Sequence, residues 1–228
     1  MNTSWVLLST LGTAALFLGL RELQRRTGAK LLAPIVSAPA CLIGLLLLTG
    51  SDVGAYEAGA RPLTWLLGPA TVALAVPLYR QRALLRANAR VVLLSVAAGA
   101  AIGLASAVLM AQALGLPEVV VRSLAPKSVT TPIAMPIAER LGGLPQLTAA
   151  VVVLCGVLGM LFGPALLTLV RVRRALARGL AMGTASHGAG TARALEDGPT
   201  EGAASGVAMV IAGVVTAVLA AALAPLLP

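Results

Sequence analysis

Charge is what this chain has least of. Only 11% of its 228 residues are Asp, Glu, Lys or Arg, and 58% are apolar. About a quarter would be charged in a soluble domain, so the shortage excludes an ordinary water-facing surface. Cysteine and histidine are nearly absent as well. Cys41 and Cys155 both lie in apolar runs without CxxC spacing, and there is one His, so neither a disulfide framework nor a metal site is expected. No paired carboxylates share an apolar segment, no Ser-His-Asp order surrounds a nucleophile elbow, and there is no phosphate loop; an enzyme is not expected. The marks of a signal peptide are missing too. No basic stretch precedes the first apolar run, and RELQRR follows it in place of a small-residue cleavage site, so a retained first span is expected.

What remains is apolar sequence in runs that recur about every 20 to 30 residues, where a spanning helix needs about 20. The expected fold class is therefore an all-α polytopic membrane protein. Six full spans are expected at 4–20, 31–49, 63–79, 91–114, 146–170 and 203–227, with a loop at 50–62. We read one transmembrane domain over 1–228: a four-span scaffold half, 1–114, and a second half, 115–228, that holds two unusual segments.

The net charge of +9 raises the question of nucleic acid, but the placement of the basic residues answers it. Three clusters (Arg21, Arg25, Arg26, Lys30; Arg80, Arg82, Arg86, Arg90; Arg171, Arg173, Arg174, Arg178) hold twelve of the seventeen. They alternate with apolar runs as positive-inside loops do, beside anionic lipid, and no nucleic acid is expected. Placing all three in the cytoplasm puts the N-terminus outside. Segment 119–142 must then enter and leave on the outer face, and 179–198 on the inner one.

Those two segments are the polar ones. PKSVTTPIAMPIAER (126–140) carries Pro126, Pro132 and Pro136, each of which removes a backbone donor and clashes with the preceding turn. Lys127 at a bilayer centre would cost about 2.5–3.5 kcal/mol on insertion scales. Broken backbone of this kind survives only against protein or a water-filled cavity. GLAMGTASHGAGTARALEDG (179–198) is glycine-rich and holds the only histidine. A faint echo links the two: Glu139 and Glu196, like Gly156 and Gly213, stand 57 residues apart (196 − 139 and 213 − 156). With opposed orientations this is the pattern of an inverted repeat, which in secondary transporters sets the substrate between the broken elements.

Half-helix N-termini aimed at one point make an anion site. Lys127, Ser128, Thr130 and Thr131 from the first segment, with Thr184, Ser186, His187, Thr191 and Arg193 from the second, suit a small carboxylate bearing a hydroxyl or keto group. Each has a plainer role beside it. Lys127 snorkels or pairs with Glu118. The hydroxyls satisfy helix carbonyls. His187 is packed rather than proton-coupling. Arg193 pairs with Glu196 and Asp197, and Gly159, Gly163, Gly183, Gly188 and Gly190 serve close helix approach. No cofactor is expected; a coupling proton or sodium ion is.

PKSVTTPIAMPIAERLGG and ARGLAMGTASHGAGTARALE, with LLGPATVALAVPLYRQ at 66–81, resemble the LrgB/CidB family, whose membrane domain also forms part of the plastidial glycolate/glycerate translocator. The resemblance implies a multi-pass inner-membrane protein with one of two roles. One is carriage of small acids such as glycolate, glycerate or pyruvate. The other is a holin/antiholin-like part in murein hydrolase export and autolysis, beside a small LrgA/CidA-type partner. Lys127–Ala134 and Gly183–Ala192 match the family's two motifs. Pro136 departs from them and implies a shortened second half-helix. A homodimer is in keeping with a compact carrier. A hole-former needs only oligomerising spans, whereas a carrier needs two opposed broken segments, so carriage of a small monocarboxylate is the expected function.

Overall fold

The structure, a computed structural model, describes residues 3–28, 34–66, 69, 72–73 and 75–224, and every regular element among them is helical. Among the described residues four helices are long and apolar enough to cross a membrane: Trp5–Thr27, Ala89–Ala113, Pro145–Leu169 and Pro199–Ala222. A shorter apolar one covers Val36–Thr49. The chain is thus a polytopic helical membrane protein. It divides into two compact units, Met1–Ala73 and Leu74–Pro228.

In the first unit, α1 (Thr3–Thr27) carries its apolar run on into the basic cluster, where Glu22 holds Arg25 and Arg26 at 2.8 Å each. α2 spans Pro34–Thr49, so the second expected span is sixteen residues long where described. The expected loop at 50–62 is instead two short helices, α3 (Val53–Gly59) and α4 (Arg61–Trp65). Asp52 starts α3 by accepting the Ala55 N–H at 2.8 Å, a side-chain cap that a loop reading of this acid overlooks. α3 packs on α1 through polar tips: Trp5 donates to the Ala55 carbonyl at 3.1 Å and Thr10 to that of Gly59 at 2.9 Å. The expected third span, 63–79, lies partly outside the described residues.

The second unit holds α5 (Ala75–Arg80), α6 (Arg82–Ala87), α7 (Ala89–Ala113), α8 (Glu118–Leu124), α9 (Thr131–Arg140), α10 (Pro145–Leu169), α11 (Ala175–Asp197) and α12 (Pro199–Leu223). α7 and α12 run side by side in the same direction. Near the start of α7, Val92, Val96 and Ala100 pack in one core with Ala204, Ala208 and Ala212; nearer its end, Leu104, Val108 and Ala111 pack with Ala220. α10 runs the opposite way. Its first turns touch α8, where Thr148 donates to the Ser123 carbonyl at 2.8 Å, and Thr168 near its end accepts from Arg178 of α11 at 3.2 Å.

α8 and α9 form a hairpin. The chain breaks over 125–130 and returns, so that a Cβ on Gly143 would lie 2.8 Å from the Ser123 nitrogen. The Ser123 hydroxyl accepts the Leu144 N–H at 2.7 Å and closes the hairpin's base. α9 runs through Pro136 to Arg140, so the shortening implied by that proline is not found. Pro132 stands in the first turn, where its missing N–H costs nothing.

α11 is continuous in name only. His187 has φ 40° and ψ −126°, outside helical geometry. A Cβ on Gly190 would press on the Met182 backbone, eight residues back. Along a straight helix eight residues span about 12 Å, so the segment doubles back at His187. Its first half then lies beside the start of α12 and parallel to it. A Cβ on Gly179 would sit 2.8 Å from that of Ala204, and one on Gly183 would overlap the Ser205 carbonyl. The two hairpins enter from opposite ends of the bundle: Leu141 and Val121 belong to the core at the end of α7, Leu180 to the core at its start.

The glycine contacts give a direct test. Gly183→Leu forces a side chain into the Ser205 backbone and is expected to destabilise the detergent-solubilised protein by about 1–3 kcal/mol, read as a lower melting temperature. Gly188→Ala, with nothing within 4 Å of the added Cβ, is expected to stay within about 0.5 kcal/mol of the parent.

Candidate functional site

Both breaks come to rest on one turn of α7. A Cβ on Gly103 would lie 3.3 Å from the Ser128 hydroxyl oxygen, and one on Gly99 would lie 3.0 Å from Thr184 Cγ2. Gly99 follows Ala89 by ten residues and Gly103 precedes Ala113 by ten. At 1.5 Å per residue the meeting point is therefore about 15 Å from each end of α7. α10 joins the breaks from another side. The Val152 side chain packs with Val129 and Ala134 of the first hairpin, and its carbonyl is 3.0 Å from His187 Nε2 in the second. A carbonyl only accepts, so Nε2 carries the hydrogen.

Gly156 and Gly159 let the second tip approach α10. A Cβ on Gly156 would lie 2.7 Å from His187 Cε1, and one on Gly159 would overlap the Ser186 side chain. The 57-residue echo has a spatial counterpart. Gly156, on the helix after the first hairpin, faces His187 of the second; Gly213, on the helix after the second, faces Ile133 of the first at 2.8 Å. Each hairpin is thus gripped by the helix that follows the other.

The named side chains do not all meet at one point. Ser128 and Thr184 lie against α7, and Ser186 and His187 against α10. Lys127 is half-buried and reaches the Ser128 hydroxyl at 3.4 Å. Glu118 does not pair with it, since that carboxylate lies 3.6 Å from Arg122; among the described residues no acid stands within ion-pair distance of Lys127. Thr130 and Thr131 open α9 half-buried, and no side chain caps its first N–H groups.

Some of the hydroxyls are already engaged. Thr184 donates to the Leu180 carbonyl at 2.7 Å and Thr191 to that of His187 at 2.8 Å. Thr191 also meets Ser205 at 2.9 Å, which ties the second hairpin to α12. Arg193 lies six residues past the tip and is held by Asp197 at 2.8 Å and Glu196 at 3.6 Å. His187 is 7% exposed in a positive-φ conformation that costs a non-glycine residue about 1–3 kcal/mol. The surrounding contacts hold it there. An open hollow of 680 Å³ along α10, lined by Leu158, Phe162, Leu166 and Leu169, is apolar and adds no polar group.

Several residues that matter here were passed over in the sequence. Ser123 and Thr148 clamp the first hairpin to α10, and Ser205 clamps the second to α12. Arg178, counted above as a topology charge, is instead largely buried with Glu201. Isolated hydroxyls in apolar helices were the only available signal for the first three.

A family model for the LrgB-like family matches residues 13–226. The chain belongs to the LrgB-like family. Two relatives from Bacillus subtilis cover most of it. YwbG is 41% identical over 184 residues, 81% of this chain and 82% of its own length, and YxaC is 36% identical over 186, or 82% and 81%; both are called uncharacterized. A Bacillus mycoides protein named antiholin-like protein LrgB is 36% identical over 143 residues, 63% of this chain and 62% of its own. No solved structure matches at a significant level. Membership in the LrgB-like family accords with the two motifs that form the hairpins here.

Gly103 paired with Ser128, and Gly99 with Thr184, have Cβ separations of 3.9 and 4.0 Å, within the range a disulfide spans. In a variant lacking Cys41 and Cys155, Gly103→Cys/Ser128→Cys and Gly99→Cys/Thr184→Cys are each expected to cross-link on mild oxidation. Peptide mapping reads the bond. Absence of both bonds contradicts the meeting of the breaks on α7.

Proposed function

We propose that this LrgB-like protein carries small monocarboxylates of the glycolate, glycerate or pyruvate class across the bacterial inner membrane, with its N-terminus outside. The observation behind the reading is that two hairpins from opposite ends of the bundle touch one turn of α7 midway along it. Alternating access needs a central site approached from both faces by broken elements. Lys127 supplies a cation without an acidic partner among the described residues, and Ser128 the adjoining hydroxyl. At the start of α9 the Thr131 N–H is the one left for a carboxylate, since Pro132 has none and Ile133 and Ala134 donate to the Thr130 carbonyl at 2.9 Å. A proton or sodium gradient is the expected driving force.

A second reading is favoured by the relatives' names. The name antiholin-like protein LrgB supports an antiholin-like role, which the family resemblance fills in as control of murein hydrolase export and autolysis beside a small LrgA/CidA-type membrane protein. The two readings part at solute selectivity. A carrier saturates and discriminates among acids; a hole passes unrelated solutes of similar size.

Purified protein in liposomes is expected to accumulate labelled glycolate, glycerate or pyruvate under an ion gradient, with saturation. Lys127→Ala is expected to insert normally and lose at least about 90% of uptake, as removal of one ion-pairing charge-assisted contact worth about 1.5–3 kcal/mol implies. Equal leakage of unrelated solutes supports the antiholin-like reading instead, and full uptake by Lys127→Ala removes that lysine from the site.

A further inference from the structure

At the base of the second hairpin, away from its tip, Arg178 and Glu201 form an ion pair that is almost sealed. Arg178 Nε lies 3.2 Å from Glu201 Oε1, and the two side chains are 16% and 12% exposed. Arg178 is fully employed. It also donates to the Thr168 hydroxyl and the Val172 carbonyl at 3.2 Å each, and to the Pro164 carbonyl at 3.4 Å. One guanidinium therefore joins the hairpin to the end of α10, the connecting turn and the first turn of α12. Glu201 is only half satisfied. Its Oε2 is buried and has no hydrogen-bond partner among the described residues. The other charges near enough to act on it are Arg193 and Asp197, which are bonded to each other across the returning half of the hairpin.

A carboxylate oxygen shut away from water without a donor is a costly arrangement, and a proton on that oxygen lowers the cost by removing the charge. Arg178 and the positive end of α12 favour the ionised form, and the sealed Oε2 favours the neutral one. We propose that Glu201 is a proton-binding site whose protonation releases the clamp that Arg178 makes between the second hairpin, α10 and α12. The proton comes from water at the hairpin's mouth and lands on Oε2. The pair changes from neutral to a net charge of one, borne by Arg178, and the ionic hold on the hairpin is lost. Arg178 keeps its hydrogen bonds to Thr168, Val172 and Pro164, and to Glu201 only the weaker bond that Oε1 of a neutral acid accepts. The sign follows: the clamp holds at high pH and loosens as pH falls. The inference rests on the fold alone and stands apart from what the chain carries.

The test uses the full-length protein in lipid nanodiscs. pH-difference infrared spectroscopy is expected to show a buried carboxylic-acid band that grows as pH falls and is missing in Glu201→Gln. Hydrogen–deuterium exchange, corrected for intrinsic pH dependence, is expected to rise several-fold across 175–186 in the parent over the same interval. In Glu201→Gln it should be raised at every pH. A spectrum in which Glu201→Gln loses no band overturns the site. A band without any change in exchange across 175–186 overturns the clamp. If Glu201→Gln does not insert, the parent's exchange profile decides alone: a pH-independent one contradicts the proposal.

Discussion

Lipid offers no hydrogen-bond partner to a broken helix, and this constraint orders the second unit. Residues 125–130 and His187 both interrupt helical bonding in a chain too apolar for water. Their exposed backbone is tolerable only if other helices wall it off. α7 and α10 do so from two sides, with Gly99, Gly103, Gly156 and Gly159 at the points of closest approach. A methyl group at Gly156 or Gly159 would push the second tip outward. The small residues of α12, among them Ala203, Ala204 and Ala208 at 0% exposure, close the remaining side.

Polar bonds place the hairpins that this packing allows. Ser123 and Thr148 fasten the first at its base, Thr191 and Ser205 fasten the second along its return, and Val152 reaches both. Each such bond is worth about 0.5–1.5 kcal/mol net in water-soluble proteins, and no more than about that in membranes. None holds the arrangement alone. The strained His187 backbone shows that the sum exceeds the local cost.

Much of this was legible beforehand because the constraint acts on composition. Prolines at 126, 132 and 136 and glycines at 183, 188 and 190 mark interruptions in apolar runs, and the arginine clusters dictate which faces the runs must reach. Together they indicated two re-entrant segments. The spans were less legible. Helix ends depend on local detail: α3 begins at Val53 behind the Asp52 cap and α12 at Pro199, where polar residues suggested loop. Pro136 misled because the only carbonyl it leaves without its helical partner is that of Pro132, in the first turn, and α9 continues past it to Arg140. Arg178 misled for another reason. A loop arginine and a buried arginine look alike until Glu201, 23 residues on, is found beside it. Arg193 and its neighbours Glu196 and Asp197 were readable as a local pair from spacing alone.

Membership in the LrgB-like family and the opposed hairpins suit a protein that presents one central site to two faces, whatever passes through it. The claim beneath every functional reading is that each hairpin leaves the membrane on the face it entered. Single cysteines at Leu116, Arg140, Arg173 and Glu196, all exposed, in intact cells test it most directly, with a membrane-impermeant thiol reagent. The account predicts that Leu116→Cys and Arg140→Cys label from outside, while Arg173→Cys and Glu196→Cys label only after the cells are opened. Labelling of Leu116→Cys and Arg140→Cys from different sides would make the first hairpin a full crossing and contradict the account.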